Sequence, residues 1–333
     1  MPEKRFLVVR LGSLGDIVHT FPAVAGLRES FPSADIIWLT HPRWVPLVQA
    51  SSLATEIWPV DSRELANVRR TLARISSQVW DAAVDYQGLW KSSLLPFLGR
   101  VRNRIGFSSQ TVREFGVSSL YTDRVRCRTQ HIADQNGELT VRAGAAKPVS
   151  NFSLKIPASD EILVRQQLAK DGATRYMVLS PGGGWRSKCW PADRFGLLSQ
   201  KIRDGLGLRC VINYGPGEEA LAAAVKGASG NSQPLTYDGE LGQLMALLRS
   251  AACIVGGDTG PLHLAVALGT PAVALFGPTD PVRNGPYPTQ EIVLRSSNAV
   301  TTYKRGDSTD PSFLELSVDQ VYQAVHRRLG VTS

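Results

Sequence analysis

The sequence predicts an α/β protein made of two halves, each with a parallel sheet covered by helices. Short apolar runs typical of buried strands alternate with helical segments along most of the chain. The 333 residues are too many for one ordinary core, and a stretch of linker composition, 145–157, interrupts the alternation. We therefore expect a first domain over 1–157, a second over 158–316, and a closing helix within 317–333.

The first half contains four apolar runs that predict strands, each followed by a helical segment. Pro22 predicts a kink in the first helix because proline has no backbone N–H. Residues 104–130 are basic and give only weak strand and turn signals. The predicted strands are 6–9, 36–39, 56–58 and 81–85, and the predicted helices are 16–30, 63–78, 89–98 and 131–144.

The second half restarts the same alternation after the linker. Strands that alternate with helices of this length indicate a parallel sheet, and the last segment is an amphipathic helix. The predicted strands are 176–179, 210–213, 252–255 and 271–276, and the predicted helices are 160–171, 191–206, 217–227, 240–251 and 317–329.

The stretch 256–269 has the pattern of a strand, a glycine-rich turn and a helix. Asp258 and Thr259 stand where a helix N-cap belongs, and Pro261 falls in the first turn, where its missing N–H is harmless. The glycines of the turn, including Gly260, leave the backbone amides open to a ligand. Such a helix start suits a phosphate, although an ordinary, well-capped turn between strand and helix explains the pattern equally well.

Three further side chains in the second half are candidates for ligand contacts. Three consecutive glycines, 182–184, precede Lys188, which could neutralise a phosphate or extend from a flexible surface loop. Glu218 follows the next strand and could accept from sugar hydroxyls or favour the start of a helix. His263 could donate to a phosphate or be a packed core histidine. The convergence of these positions on successive strand–loop–helix junctions favours a ligand site.

The first turn of the chain contains a carboxylate, Asp16, directly after a strand. There it could take a proton from an incoming hydroxyl, or it could only complement the helix dipole. Gly12 and Gly15 do not have dinucleotide-binding spacing, and the second strand ends in Leu39-Thr40 without an acidic residue. An oxidoreductase is therefore disfavoured.

Composition excludes several classes of function. Lys and Arg residues exceed Asp and Glu residues by 8, and the pI is near 9.5. This positive charge favours anionic partners, or it only keeps the protein in solution. No nucleic-acid-binding module, zinc spacing or Asp-x-Asp pair is present. Four cysteines without a CxxC pair predict a reduced, cytoplasmic protein, and Arg10 and Asp16 interrupt any signal peptide. The apolar run 264–277 is shorter than the ~20 residues of a spanning helix, so membrane contact would be peripheral.

Five segments of the sequence, spread in order over nearly the whole chain, resemble glycosyltransferase family 9, the lipopolysaccharide heptosyltransferases. They are 10–22, 85–88, 188–191, 258–263 and 277–281. The resemblance implies two Rossmann-like domains of the glycosyltransferase B type, with the acceptor on the first, ADP-heptose on the second, and a last helix that returns to the first. It further implies metal-independent transfer of heptose, without a cofactor and with inversion, to an inner-core sugar (Kdo or heptose).

The resemblance also implies roles for individual residues. Asp16 looks like the general base, Lys188 like the diphosphate-binding lysine, and Glu218 (or Glu219 beside it) like the acidic residue near the ribose. Asp258, Thr259, Gly260 and His263 would line the donor pocket, together with Ser13. Where well-known members have hydroxyl residues before the lysine, this chain has Gly183 and Gly184. On the acceptor side, Lys91 and Arg113 are placed to meet an acidic, lipid-linked sugar, although surface charge explains them equally well.

Two alternative functions remain compatible with the same fold. A sugar-nucleotide epimerase would act without an acceptor, and a non-catalytic nucleotide-sugar-binding protein would bind the donor without consuming it. Asp16 and Asp258 lie 242 residues apart, so we expect base and leaving-group pocket to face each other across a cleft. The basic segment 100–104 beside the apolar 94–98 suits the inner face of the cytoplasmic membrane, or the solvated end of a core helix.

Overall fold

The computed structural model describes residues 4–288, 291–302 and 304–330. The chain divides into two compact units, Met1–Lys155 and Ile156–Ser333. The division therefore lies two residues before the predicted end of the first domain, residue 157. Within the described residues, no helix is both long enough and apolar enough to cross a membrane.

The first unit is a six-stranded parallel sheet in the order β3-β2-β1-β4-β5-β6. In the central strand, Leu7, Val8 and Val9 are completely buried although successive side chains point to opposite faces. Both faces of the sheet are therefore covered, as parallel sheets require. The elements are β1 Arg5–Val9, α1 Leu14–Val18, α2 Phe21–Ser30, β2 Asp35–Thr40, α3 Val45–Ser51, β3 Glu56–Pro59, α4 Leu65–Ser76, β4 Ala82–Asp85, α5 Trp90–Leu98, β5 Arg104–Phe107, β6 Asp123–Val125 and α6 Ile132–Arg142.

The second unit repeats this architecture with a six-stranded parallel sheet in the order β12-β11-β10-β7-β8-β9. Its elements are α7 Ala158–Lys170, β7 Tyr176–Ser180, α8 Ala192–Leu206, β8 Arg209–Asn213, α9 Glu219–Gly227, β9 Leu235–Tyr237, α10 Leu241–Arg249, β10 Cys253–Gly257, α11 Gly260–Ala267, β11 Ala272–Phe276, α12 Pro281–Asn284, β12 Ile292–Arg295, α13 Pro311–Leu314 and α14 Val318–Leu329. The predicted α/β class with two parallel sheets is confirmed.

Each sheet has one point where the direction of the strand order reverses. In the first unit the chain goes from β1 outward to β2 and later returns to β4 on the other side of β1. In the second, β7 leads outward to β8, and β10 returns beside β7 before leading to β11. The loops that leave β1, β7 and β10 therefore lie at the carboxyl edge beside these reversal points, where open α/β sheets bind ligands.

Two predicted elements differ from the structure in instructive ways. The first helix is divided into α1 and α2, because Pro22 has no N–H to bond to the carbonyl of Val18 and the turn between them breaks. The basic stretch 104–130 contains two short strands, β5 and β6, rather than irregular chain alone. The strands β9 and β12, at the two edges of the second sheet, were not predicted.

The last helix packs within the second unit. α14 lies on α8, β10 and β11, where Val321, Ala324 and Val325 are buried in the core. The expected return of the segment 317–333 to the first domain stays a prediction. The bidentate contact of Arg328 with Glu291 fixes the same helix to the second unit. The apolar face of the helix is thus used within its own unit.

Candidate functional site

The Asp16 carboxylate lies in the first turn of α1, directly after the central strand β1. Ser13 precedes α1 as its N-cap, and its backbone N–H and hydroxyl both donate to Oδ2 of Asp16 at 3.0 Å. This reach-back contact satisfies a backbone donor that a helix start leaves without a partner. The side chain of Asp16 remains 36% exposed, so the carboxylate is both fixed in orientation and accessible.

The second oxygen of Asp16 is paired with a buried arginine. The Arg10 guanidinium lies 2.7 Å from Oδ1 of Asp16 and also donates to the backbone carbonyl of Tyr86. Burial raises the pKa of Asp16, but the charge of Arg10 and the hydrogen bonds from Ser13 outweigh it, so the pKa is held below its usual value. Asp16 is therefore ionised at neutral pH. No role was predicted for Arg10, although a charged residue inside an apolar run was visible in the sequence.

The motif 85–88 supports this turn from the neighbouring strand, β4. Asp85 is almost completely buried and accepts from the hydroxyls of Ser92 and Tyr121, both at 2.8 Å, and from two backbone N–H groups of its own turn. The side chain of Gln87 accepts from the backbone N–H of Leu11 at 2.8 Å. Burial raises the pKa of Asp85, and no cation in this network offsets that effect of burial. The motif thus anchors the loop that carries Asp16.

Three predicted residues of the second unit form one buried cluster at its reversal point. The ammonium of Lys188 lies 2.6 Å from Oδ2 of Asp258, and Nε2 of His263 lies 3.0 Å from Oδ1. Burial raises the pKa of Asp258, but the hydrogen bond from His263 and the charge of Lys188 hold it far below its usual value. Asp258 therefore stays ionised and orients both neighbours.

The local backbone explains why these residues meet. Thr259 is the N-cap of α11 and Gly260 its first residue, so Asp258 lies just before the helix, at the end of β10. The Lys188 segment crosses the same strand end, where a Cβ at Gly257 would lie 2.8 Å from the carbonyl oxygen of Lys188. A side chain at Gly257 would push the two loops apart. The sequence placed the N-cap at Asp258 or Thr259; the structure selects Thr259.

The glycine run 182–184 lies beside Glu218. A Cβ at Gly182 would fall 2.3 Å from the carboxylate of Glu218, so only glycine permits the present position of that side chain. Glu218 also accepts from the backbone N–H of Gly215 at 2.9 Å. Glu219, in contrast, is exposed and accepts from the backbone N–H of Gly217. Of the two glutamates, Glu218 is therefore the one at the glycine run. Gly183 and Gly184 present backbone only.

The two predicted acceptor residues are both exposed in the first unit. Lys91 lies in the first turn of α5, and Arg113 lies in the loop between β5 and β6. The charge of Arg113 contributes to the lowered pKa of Asp16, which connects it electrostatically with the carboxylate. Among the described residues, Lys91 does not contribute to this shift. Sequence reasoning assigned no role to Trp185 and Arg305, whose side chains contact each other beside Lys188.

Two Rossmann-like units, one with a charged cluster at its reversal point, have the architecture of the α/β proteins that bind ligands at the carboxyl edge of the sheet. The family model "Glycosyltransferase family 9 (heptosyltransferase)" matches residues 68–312, which is more than half of the chain. The protein belongs to glycosyltransferase family 9 and is a glycosyltransferase. A curated relative, lipopolysaccharide heptosyltransferase 1 of Pseudomonas aeruginosa, is 28% identical over 88% of this chain and 84% of its own.

Solved structures share the whole fold. A glycosyltransferase of family 9 from Veillonella parvula matches with a TM-score of 0.86 at 22% identity, over 99% of this chain and 98% of its own. An Escherichia coli heptosyltransferase crystallised with ADP matches with a TM-score of 0.77 at 24% identity, over 97% and 99% of the two chains. The fold is therefore the B-type glycosyltransferase fold expected from the sequence.

Proposed function

We propose that the protein transfers heptose from ADP-heptose to an inner-core lipopolysaccharide sugar, with inversion and without a metal ion. The observation that supports this most directly is the buried cluster of Lys188, Asp258 and His263 at the carboxyl edge of the second sheet. The names of the relatives support the chemistry, because the Pseudomonas aeruginosa protein is a lipopolysaccharide heptosyltransferase and the Escherichia coli enzyme was crystallised with ADP.

In this mechanism Asp16 is the general base. Its carboxylate accepts the proton of the acceptor hydroxyl while that oxygen forms a bond to the anomeric carbon of the heptose. The bond between the anomeric carbon and the diphosphate oxygen breaks on the opposite side, and ADP leaves with the electron pair. The configuration at the anomeric carbon is therefore inverted. The lowered pKa of Asp16 keeps the base ionised, and its exposed edge leaves an oxygen lone pair available.

The donor is held by the second unit. Lys188 contributes positive charge to the diphosphate, and Asp258 holds the lysine in place. Thr259, Gly260 and His263 offer hydrogen-bond donors at the start of α11, where the helix dipole favours an anion. The backbone of Gly183 and Gly184 lies beside the diphosphate, and Glu218 accepts from the adenosine ribose. We also propose a donor contact for Ser13, whose hydroxyl donates to Asp16.

The acceptor is an acidic, lipid-linked saccharide. Arg113 and Lys91 carry exposed positive charge in the first unit, where an acidic sugar would neutralise it. The end of α5 exposes Phe97 and Leu98 just before the basic segment 100–104. We propose that this end of the helix rests on the anionic inner face of the cytoplasmic membrane, where the acceptor is anchored.

A transfer assay with the purified protein tests the proposed function. We expect ADP-heptose and an inner-core acceptor to give one heptosylated product and one ADP, detected by mass spectrometry, in buffer containing EDTA. Donor without acceptor serves as the control. A changed sugar nucleotide in that control would indicate an epimerase, and donor binding without turnover would indicate a binding protein. Either result would overturn the proposal.

Removing the arginine that pairs with the base should change the pH profile. Arg10→Gln eliminates the charge that lowers the pKa of Asp16, so that pKa should rise. Because only ionised Asp16 accepts a proton, the acid limb of kcat/KM should move to higher pH in the variant. Arg5→Gln, which removes an arginine paired with Asp35 at the start of β2, should leave the limb in place. An unchanged acid limb in a folded Arg10→Gln variant would contradict the assigned electrostatics.

A further inference from the structure

The charge of Lys188 is largely offset by its carboxylate partner. The ammonium of Lys188 lies 2.6 Å from the carboxylate of Asp258, and both side chains are largely buried. The two charges nearly cancel at any distance beyond a few ångströms. A diphosphate is a multiply charged anion, and the adjacent Gly183 and Gly184 add no side chain. A further cation near Lys188 would therefore matter for binding.

A segment near the C-terminal end of the chain crosses the same sheet edge. The backbone N–H of Thr302 donates to the carbonyl of Pro278, just after β11, at 2.7 Å. Four residues later, the carbonyl of Gly306 accepts from the backbone N–H of Ser187 at 3.3 Å. Thr302 thus lies at the end of β11 and Gly306 at the Lys188 turn, and the exposed Lys304 and Arg305 precede Gly306 directly in the chain.

The two cations Lys188 and Arg305 share one aromatic ring. Nζ of Lys188 lies 4.7 Å from the ring centroid of Trp185, and Cζ of Arg305 lies 5.4 Å from the same centroid. Both distances are within the range of cation–π attraction. The indole therefore holds the Arg305 guanidinium in the neighbourhood of Lys188, even though 120 residues separate Trp185 from Arg305 in the sequence.

We propose that Arg305, held on Trp185, is a second cation for the diphosphate of the donor. The inference rests on the proposed function in assigning a nucleoside diphosphate sugar to this pocket. Unlike Lys188, Arg305 forms no ion pair with a carboxylate of the described residues, so its charge is available to an incoming phosphate. The planar guanidinium can donate two parallel hydrogen bonds to phosphate oxygens while its face stacks on the indole.

Calorimetry with nucleotides tests the assignment. Arg305→Gln should weaken ADP binding about 10-fold, in line with the loss of a hydrogen bond to a charged group at an exposed site. Binding of adenosine, which has no phosphate, should not change. Lys304→Gln removes the same charge one residue away and should have a much smaller effect. Trp185→Leu should weaken ADP binding with the same preference for ADP over adenosine, because it removes the support of the guanidinium.

The outcomes separate this inference from the proposed function. ADP, UDP and GDP are first compared on the wild-type protein, and the variants are then measured with the diphosphate that binds most tightly. A preference for UDP or GDP would contradict the ADP-heptose donor and leave the Arg305 test intact. Unchanged diphosphate affinity in Arg305→Gln, or equal losses in Arg305→Gln and Lys304→Gln, would overturn the role of Arg305. Matching melting temperatures would establish that the variants are folded.

Discussion

Replacement of Asp16 by asparagine is expected to lower the rate of heptose transfer by about 10²- to 10⁴-fold, the range that a general base contributes. The amide has nearly the same shape as the carboxylate but cannot accept the proton of the acceptor hydroxyl. Asp16 lies in the first unit, whereas the residues assigned to ADP lie mainly in the second. The affinity for ADP should therefore change little, so the loss should appear in kcat.

The measurement is steady-state kinetics of product formation, with ADP affinity determined separately by calorimetry. Asp35→Asn is the matched control, because Asp35 begins β2 at the opposite, amino edge of the same sheet and pairs with Arg5. That variant should retain wild-type turnover. Transfer at a near-normal rate by Asp16→Asn would show that another group takes the proton. A large loss of ADP affinity would instead assign Asp16 to donor binding.

Much of the fold could be predicted because local sequence patterns determine it. The buried strands β1, β2, β7, β8, β10 and β11 are continuous apolar runs, and runs of this kind between helical segments indicate a parallel sheet. The edge strands β9 and β12 are short and have partly exposed side chains. β9 has no apolar run, whereas β12 contains the apolar residues Ile292, Val293 and Leu294 and was overlooked. The direction in which α14 packs depends on a complementary apolar surface, which no local pattern encodes.

The candidate site likewise has residues that the sequence predicts and contacts that it does not. Asp16, Lys188 and Asp258 were identifiable because each follows a predicted strand, at the edge where ligands bind. The long-range contacts of these residues were not identifiable, since the Lys188–Asp258 pair joins residues 70 positions apart and the contact of Arg10, the partner of Asp16, with Tyr86 joins residues 76 apart. Side-chain pairs of that separation depend on the register of the sheet. Arg305 was missed for the same reason, because only the folded chain brings it to Trp185.

Replacement of Asp258, the partner of Lys188, by asparagine is the second change with a large expected effect, in this case on stability. Asp258→Asn removes the negative charge while Lys188, 16% exposed, stays in place as a cation without a counter-charge. Loss of one partner of a buried pair costs about 3–5 kcal/mol, and the lower end applies here because the amide oxygen can still accept from Lys188. Hydrogen exchange in β10 and α11 at neutral pH measures the loss within the second unit. Asp319→Asn, which breaks the exposed pair with Lys201 in the same unit, should have no measurable effect.

The pH dependence of this difference has a definite sign. The folded protein holds the pKa of Asp258 below its unfolded value of about 3.9, so the charged form stabilises the fold above that value. As the pH falls below about 4, the unfolded chain binds a proton before the folded chain does, and the contribution of the wild-type carboxylate is progressively lost. The difference in unfolding free energy between wild type and Asp258→Asn should therefore be largest at neutral pH and shrink in acid. A difference that stays constant from pH 7 to pH 3 would mean that Asp258 stabilises the unit by packing rather than by its charge.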